Sequence, residues 1–201
     1  MKRRNIILLP LIVVLAGAAY EGWSVIRRGL SARDNPSSLE AYVARAVRRL
    51  SVPAAVKQTK NPFTPTPEVL AEARAHFADH CATCHGNDGS GQTTIGRNLY
   101  PKPPDMRLPQ TQNLTDGEIY YIIHHGIRLT GMPAWGDPLA DNDSWKLVYF
   151  IRHLPKLTPE EKKEMGRFNP RSQMERSEEE KENQFLNGEK SSGKPMQEHH
   201  H

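Results

Sequence analysis

Cysteine is nearly absent from this chain. Its 201 residues contain two, Cys81 and Cys84, which excludes a four-thiolate zinc site. Aromatic residues are scarce, at 7%, and none sits in an RNA-binding signature. Zinc-finger spacing is missing too, so the net charge of +4 comes with no motif for reading nucleic acid. Much of the positive excess lies in Lys2, Arg3, Arg4, Arg27, Arg28, Arg45, Arg48 and Arg49, near an apolar block, as membrane-flanking charge and solvated helix faces. Residues 167–201 hold almost no apolar side chains. There is no internal repeat and no alternating pattern suited to strand pairing, which leaves helices to build the fold.

The apolar block opens the chain as "MKRRNIILLPLIVVLAGAAYEGWSVIRRG". Residues 6–20 alone are shorter than the roughly 20 residues that span a bilayer. Apolar character resumes with Trp23, Val25 and Ile26, so 21 positions run from Ile6 to Ile26. Trp23 and the Arg27–Arg28 pair then mark the far interface. A cleaved signal peptide, with Ala16-Gly17-Ala18 as the processing site, is the competing reading. In both cases the bulk of the protein is exported. Lys2, Arg3 and Arg4 hold the N-terminus in the cytoplasm, against the opposing pull of Arg27, Arg28 and Arg33.

Four stretches follow from composition: an anchor or signal segment at 1–30, a connector at 31–61, a folded domain at 62–166 and a polar, disordered tail at 167–201. In the connector, Leu39, Tyr42, Val43, Ala46, Val47 and Leu50 recur at helical spacing behind a Ser37 or Ser38 cap. Such a helix could lie on a membrane surface, but packing on the domain or acting as a spacer is the favoured reading. In the domain, "TPEVLAEARAHFADHC" predicts a helix opened by Thr66, Pro67 and Glu68. Leu70, Ala73, Phe77 and Cys81 lie on its inner face. "LTDGEIYYIIHHGI" opens with the Thr115/Glu118 capping box and stops at Gly126. "NDSWKLVYFIRHLP" is a strongly apolar helix, and "TPEEKKEM" a short last one. The segment 86–113 is irregular and long for a small domain, as if it wraps around something.

The stretch "HCATCHGNDGSG" shows what it wraps around. Two thiols two residues apart, followed by His85, form the C-x-x-C-H pattern of covalent haem c attachment. The thiols can add to the two vinyl groups of one haem, with the next imidazole beneath the iron. A redox disulfide and a zinc site are the rival readings of the same residues. The first would expect a preceding strand and no histidine. The second would want a further pair of ligands.

His85 supplies one axial ligand. Met132, in the Gly- and Pro-bracketed loop "TGMPAWG", is the candidate for the other, and a thioether there raises the reduction potential relative to a second imidazole. Met106, His124 and His125 are the alternatives. A ligating histidine normally donates its other ring nitrogen to a fixed acceptor, for which the Pro103 carbonyl in "YPKPPD" is the candidate. Tyr100, Trp135 and Trp145 are candidate haem-wall residues, with ordinary core packing as the other reading.

Taken together, "CATCHG", "YPKPPDM", "GEIYYIIHHGIRLTGMPAW" and "SWKLVYFIRHLP" resemble the class I c-type cytochromes, in particular bacterial exported or membrane-anchored single-haem members. The resemblance covers roughly residues 67–165. It implies a small all-α domain around one covalent haem, with a C-terminal helix crossing the first. It gives Cys81, Cys84, His85 and Met132 the attachment and axial roles. It further implies a one-electron carrier, not an enzyme, that docks weakly with redox protein donors and acceptors outside the cytoplasm. A haem subunit of a larger oxidoreductase is the alternative. So is a peroxidase-like enzyme or gas sensor with a displaceable methionine, for which Arg128 and His125 are the nearest distal groups.

Overall fold

The computed structural model describes residues 2–136, 142–171, 177–178 and 181. Every regular element among them is helical. The expected tail therefore lies, beyond residue 171, almost wholly outside the described residues, as do 137–141 of the loop that follows Met132.

Helix α1 (Lys2–Arg28) stands apart from the rest. Its stretch Leu9–Arg27 is 19 residues long, with no part of it buried against the protein. A helix that is apolar on all sides and uncovered has lipid as its natural solvent. Nine residues later come α2 (Ser38–Ser51) and α3 (Ala54–Gln58). Ser37 caps α2 by accepting from the Glu40 amide, as its sequence suggested.

The domain begins with α4 (Pro67–His76), where the Thr66 side chain accepts from the Val69 amide and Pro67 takes the first turn. The expected helix does not run uninterrupted to the cysteines. A π-helical turn, Phe77–Cys81, intervenes before α5 (Ala82–His85). This wider turn places consecutive residues Phe77 and Ala78 both in the core, and π turns recur at functional sites. No residue type in "FADHC" announces it.

The chain then wanders through α6 (Pro109–Gln112) to α7 (Asp116–His125), opened by the Thr115/Glu118 capping box. Helix α8 (Asn142–His153) packs its apolar face against α4 and α7. Helix α9 (Pro159–Met165) starts from a second capping box, Thr158/Glu161. Phe77 of the π turn and Phe150 of α8 meet with ring centroids 4.9 Å apart. Trp145 stacks on Tyr120 at 4.0 Å, which makes it a core residue. Val148 and Met165 are fully buried.

Two arginines lace the layers. Arg152 donates to the carbonyls of Gln112 and Leu114 and to Asp116 (2.8 Å), holding the α6–α7 turn on α8. Arg74 of α4 bonds Glu161 (3.0 Å) and Glu164 (2.7 Å), securing α9.

The connector packs on the domain. Val52 is 4% exposed. The α3 backbone crosses α7 so closely that a Cβ on Gly117 would stand 1.8 Å from the Val56 carbonyl oxygen. Farther up, the Tyr100 hydroxyl donates to Glu40, and Lys102 donates to the Arg33 and Asp34 carbonyls.

Candidate haem site

The motif histidine sits at the end of α5 with its backbone already committed. The His85 carbonyl accepts from the Gly91 amide (2.7 Å), and the Cys84 carbonyl accepts from the Thr93 hydroxyl (3.2 Å). The Thr93 hydroxyl in turn accepts from the Gly96 amide (2.8 Å). The loop after the motif is thus folded back onto it by the motif's own carbonyls. Farther on, the Met106 amide donates to the Gly89 carbonyl (2.8 Å), and the Met106 side chain is buried in the core.

His85 is 9% exposed, and its Nδ1 has no hydrogen-bond partner among the described residues. Burial pushes its pKa down to about 4, so the ring is neutral at physiological pH, the form that ligates a metal. The bond expected from Nδ1 to the Pro103 carbonyl is not made. That carbonyl lies over Gly91 instead, 2.6 Å from where a Cβ there would stand.

Both cysteines are unpaired. Burial, reinforced by neighbouring Cys84, pushes the Cys81 thiol up to about 12, and burial raises Cys84 as well. Thiols held protonated are poorly suited to thiolate redox exchange or zinc binding. Among the described residues, no group of three His, Cys, Asp or Glu side chains is placed to hold a metal ion.

Met132 sits on a hairpin-like loop between α7 and α8. Its carbonyl accepts from the Ile127 amide (3.0 Å), and its amide donates to the Thr130 hydroxyl (3.1 Å). Gly126 makes the turn possible. Its φ is +66°, and a Cβ would meet the Ala134 amide nitrogen at 2.6 Å, so only glycine fits. The Trp135 amide then donates to the Ile123 carbonyl (3.1 Å), pulling the loop back along α7.

This loop reaches the residue before the motif and the loop that follows it. Trp135 stands edge-on to His80, the residue before Cys81, at 5.6 Å. Gly131 packs against Leu99, whose side chain would lie 2.8 Å from a Cβ there. Trp135 is 38% exposed, at the rim of the site. Tyr100 turns its hydroxyl to Glu40 of α2, which gives it a role in holding the connector. Of the alternative ligands, His124 stacks on Tyr120 (5.4 Å) and His125 on Tyr121 (4.1 Å).

These residues fit a covalent haem: two protonated, unpaired thiols, a buried neutral imidazole with one ring nitrogen unpaired among the described residues, and a methionine loop whose Trp135 meets His80, next to Cys81. Comparison with known proteins agrees. Residues 68–151 match the family described as cytochrome c oxidase, cbb3-type, subunit III. Residues 68–151 are a class I c-type cytochrome domain. Its cofactor is haem c, held covalently in this family, and the chain has the two cysteines for it.

The chain is 33% identical over 94 residues to the cbb3-type cytochrome c oxidase subunit FixPc of Rhizobium leguminosarum bv. viciae. That alignment takes in 45% of this chain and spans 30% of the relative. A looser structural match is a chain of the Kuenenia stuttgartiensis reducing HAO-like protein complex Kustc0457/Kustc0458, with a TM-score of 0.41, 22% identity and 46% of each chain covered. The family and its relative support a role as electron carrier or complex subunit, and the uncovered apolar helix α1 fits membrane anchoring.

Proposed function

We propose that this chain is a membrane-anchored haem c electron-transfer protein that works on the extracytoplasmic side. One observation carries the reading: the C-x-x-C-H motif closes a core helix on a buried, neutral His85 beside two unpaired thiols. Bound haem supplies one-electron chemistry through ferric–ferrous cycling of its iron. Cys81 and Cys84 hold it through thioether bonds. His85 provides the imidazole ligand, and its low proton affinity keeps it free to ligate at any physiological pH. Met132 provides the thioether ligand from a loop whose backbone bonds fix its approach.

With His85 and Met132 as its protein ligands, a bound haem would offer no open site to a substrate, and the chain would carry electrons without catalysis of its own. Its partners are a redox donor and a redox acceptor reached by weak docking, and the anchor raises its effective concentration at membrane complexes. A second reading has a specific observation behind it: the matching family and relative are oxidase subunits. Here the chain would be a fixed haem subunit of a larger oxidoreductase, and copurification from native membranes with stoichiometric partners would favour this over a free carrier.

The test is an absorption spectrum of the haem-loaded protein, oxidised and reduced, with and without carbon monoxide. Low-spin c-type bands with the weak ferric–thioether band, unmoved by carbon monoxide, are expected. Met132→Ala should abolish the thioether band and open the iron to carbon monoxide. Retention of that band would refute Met132. A high-spin, carbon-monoxide-sensitive wild type would refute the carrier reading in favour of an enzyme or sensor.

A further inference from the structure

Helix α2 carries an apolar face that the cytochrome domain does not use. Leu39, Val43, Val47 and Leu50 follow one another at helical spacing, and they are 72%, 49%, 60% and 83% exposed. Advancing about 100° per residue, all four fall on one side, with Tyr42 at its edge. The opposite side, Ala41, Arg45 and Arg48, is partly buried against the protein, and Glu40 receives the Tyr100 hydroxyl. The helix is thus gripped by its polar side and shows its apolar side outward, the reverse of an ordinary surface helix.

We propose that this outward face lies in the interface of the same anionic bilayer that α1 crosses, so that α2 fixes the orientation of the cytochrome domain on the membrane. The proposal rests on α1 being an anchor. Continuity supports it. Helix α1 ends at Arg28 and α2 begins at Ser38, and the nine intervening residues reach no farther than about 30 Å. A turn shortens them further, the Asp34 amide donating to the Ser31 carbonyl (3.2 Å), and Lys102 holds the same turn on the domain.

Charge supports it as well. From residue 27 to 57 there are seven basic side chains (Arg27, Arg28, Arg33, Arg45, Arg48, Arg49, Lys57) and two acidic ones (Asp34, Glu40). Arg49 is exposed at the edge of the apolar stripe, where its long stem can lie along acyl chains while the guanidinium meets headgroup phosphates. An amphipathic helix with a basic polar side is suited to lie in the interface plane.

The test uses the full-length haem-loaded protein in nanodiscs of phosphatidylcholine and phosphatidylglycerol, with a photo-crosslinking residue at Leu15, Val47 or Ala44. Leu15 reports the anchor, Val47 the apolar stripe, and Ala44 an exposed position of α2 off the stripe. Lipid adducts at Leu15 and Val47, several-fold above Ala44 and reduced at Val47 when phosphatidylglycerol is left out, are the expected result. Adducts at Leu15 with Val47 no higher than Ala44 would overturn the proposal and leave the anchor standing. Loss of adducts at Leu15 would overturn both. Crosslinking of Val47 to a second copy of the chain would overturn it in favour of self-association.

A paired substitution keeps the test independent of crosslinking yield. Val43→Glu with Val47→Glu should leave the haem spectrum unchanged and speed amide exchange across residues 39–50 several-fold in the nanodisc. Glutamate is the better helix former, so faster exchange would not come from propensity. Unchanged exchange would overturn the proposal.

Discussion

Helices α2 and α8 are two amphipathic helices with opposite fates. In α8, Leu147, Val148, Phe150 and Ile151 are at most 4% exposed, closed in by α4 and α7. In α2, the large side chains of an equally regular apolar stripe stay exposed, with only the small Ala46 among them partly buried, and the helix is fastened through Glu40, Val52 and its partly buried arginine side. Periodicity therefore tells which residues share a face. It does not tell what that face meets. The burden of stability falls on α8, and α2 is left as a surface for something outside the domain.

The strongest way to test this contrast is to remove a large side chain from α8. Phe150→Ala should cost about 3–5 kcal/mol through lost burial and the cavity left beside Phe77, read as a drop in the denaturant midpoint of the haem-loaded protein.

Gly117→Ala probes the seam between the two regions. The new methyl would collide with the Val56 carbonyl oxygen, so α3 must move away from α7, at a cost of about 1–3 kcal/mol. Amide exchange should rise across residues 38–58 while the haem bands stay in place. A rise over the whole protein would mean that the connector is integral to the core.

Acid should loosen the α8–α9 end. Partial burial pushes the Asp88 carboxyl up, but bonds from Lys162 and Ser90 outweigh this and hold it well below the usual carboxylate range. Glu161 is also raised by burial and brought below its ordinary value by the Thr158 amide, His153 and Arg74. Groups with depressed folded pKa values stabilise fully above their unfolded values, near 3.8 and 4.5. That stability is lost as pH falls through the folded values. Thermal melts from pH 6 downward should show a falling midpoint in the acid range, with a shallower fall in Asp88→Asn.

The smallest effect belongs to α2. Leu50→Ala should change the stability of the lipid-free protein by no more than about 0.5 kcal/mol, as exposed sites usually do. A loss near that of Phe150→Ala would mean that the stripe is covered in solution and would erase the contrast between the helices.

Much of the fold was legible because it is local. Thr66, Thr115 and Thr158 each cap the helix that their spacing with Pro or Glu announced. Gly126 ends α7 with a positive φ, as a glycine there should. The covalent haem pattern needs only five consecutive residues, so it too could be read directly. The π turn at Phe77–Cys81 escaped the sequence, because an α-turn and a π-turn in "FADHC" use the same residue types and differ by where Phe77 and Ala78 find room against α8. The same holds for Tyr100 and Pro103. Their loop meets Gly91 and Glu40, and which way each side chain or carbonyl points depends on those residues, remote in sequence from at least one of them.

By itself the amino-acid sequence determined the capped starts of the main helices, the attachment pattern and the apolar block, all set by neighbours within about one or two turns. Only the tertiary structure decided which apolar faces are buried, how far His85 is desolvated and where Gly117 must yield to a crossing backbone. Those depend on segments many residues apart meeting at van der Waals distance, and close packing permits few ways for them to meet.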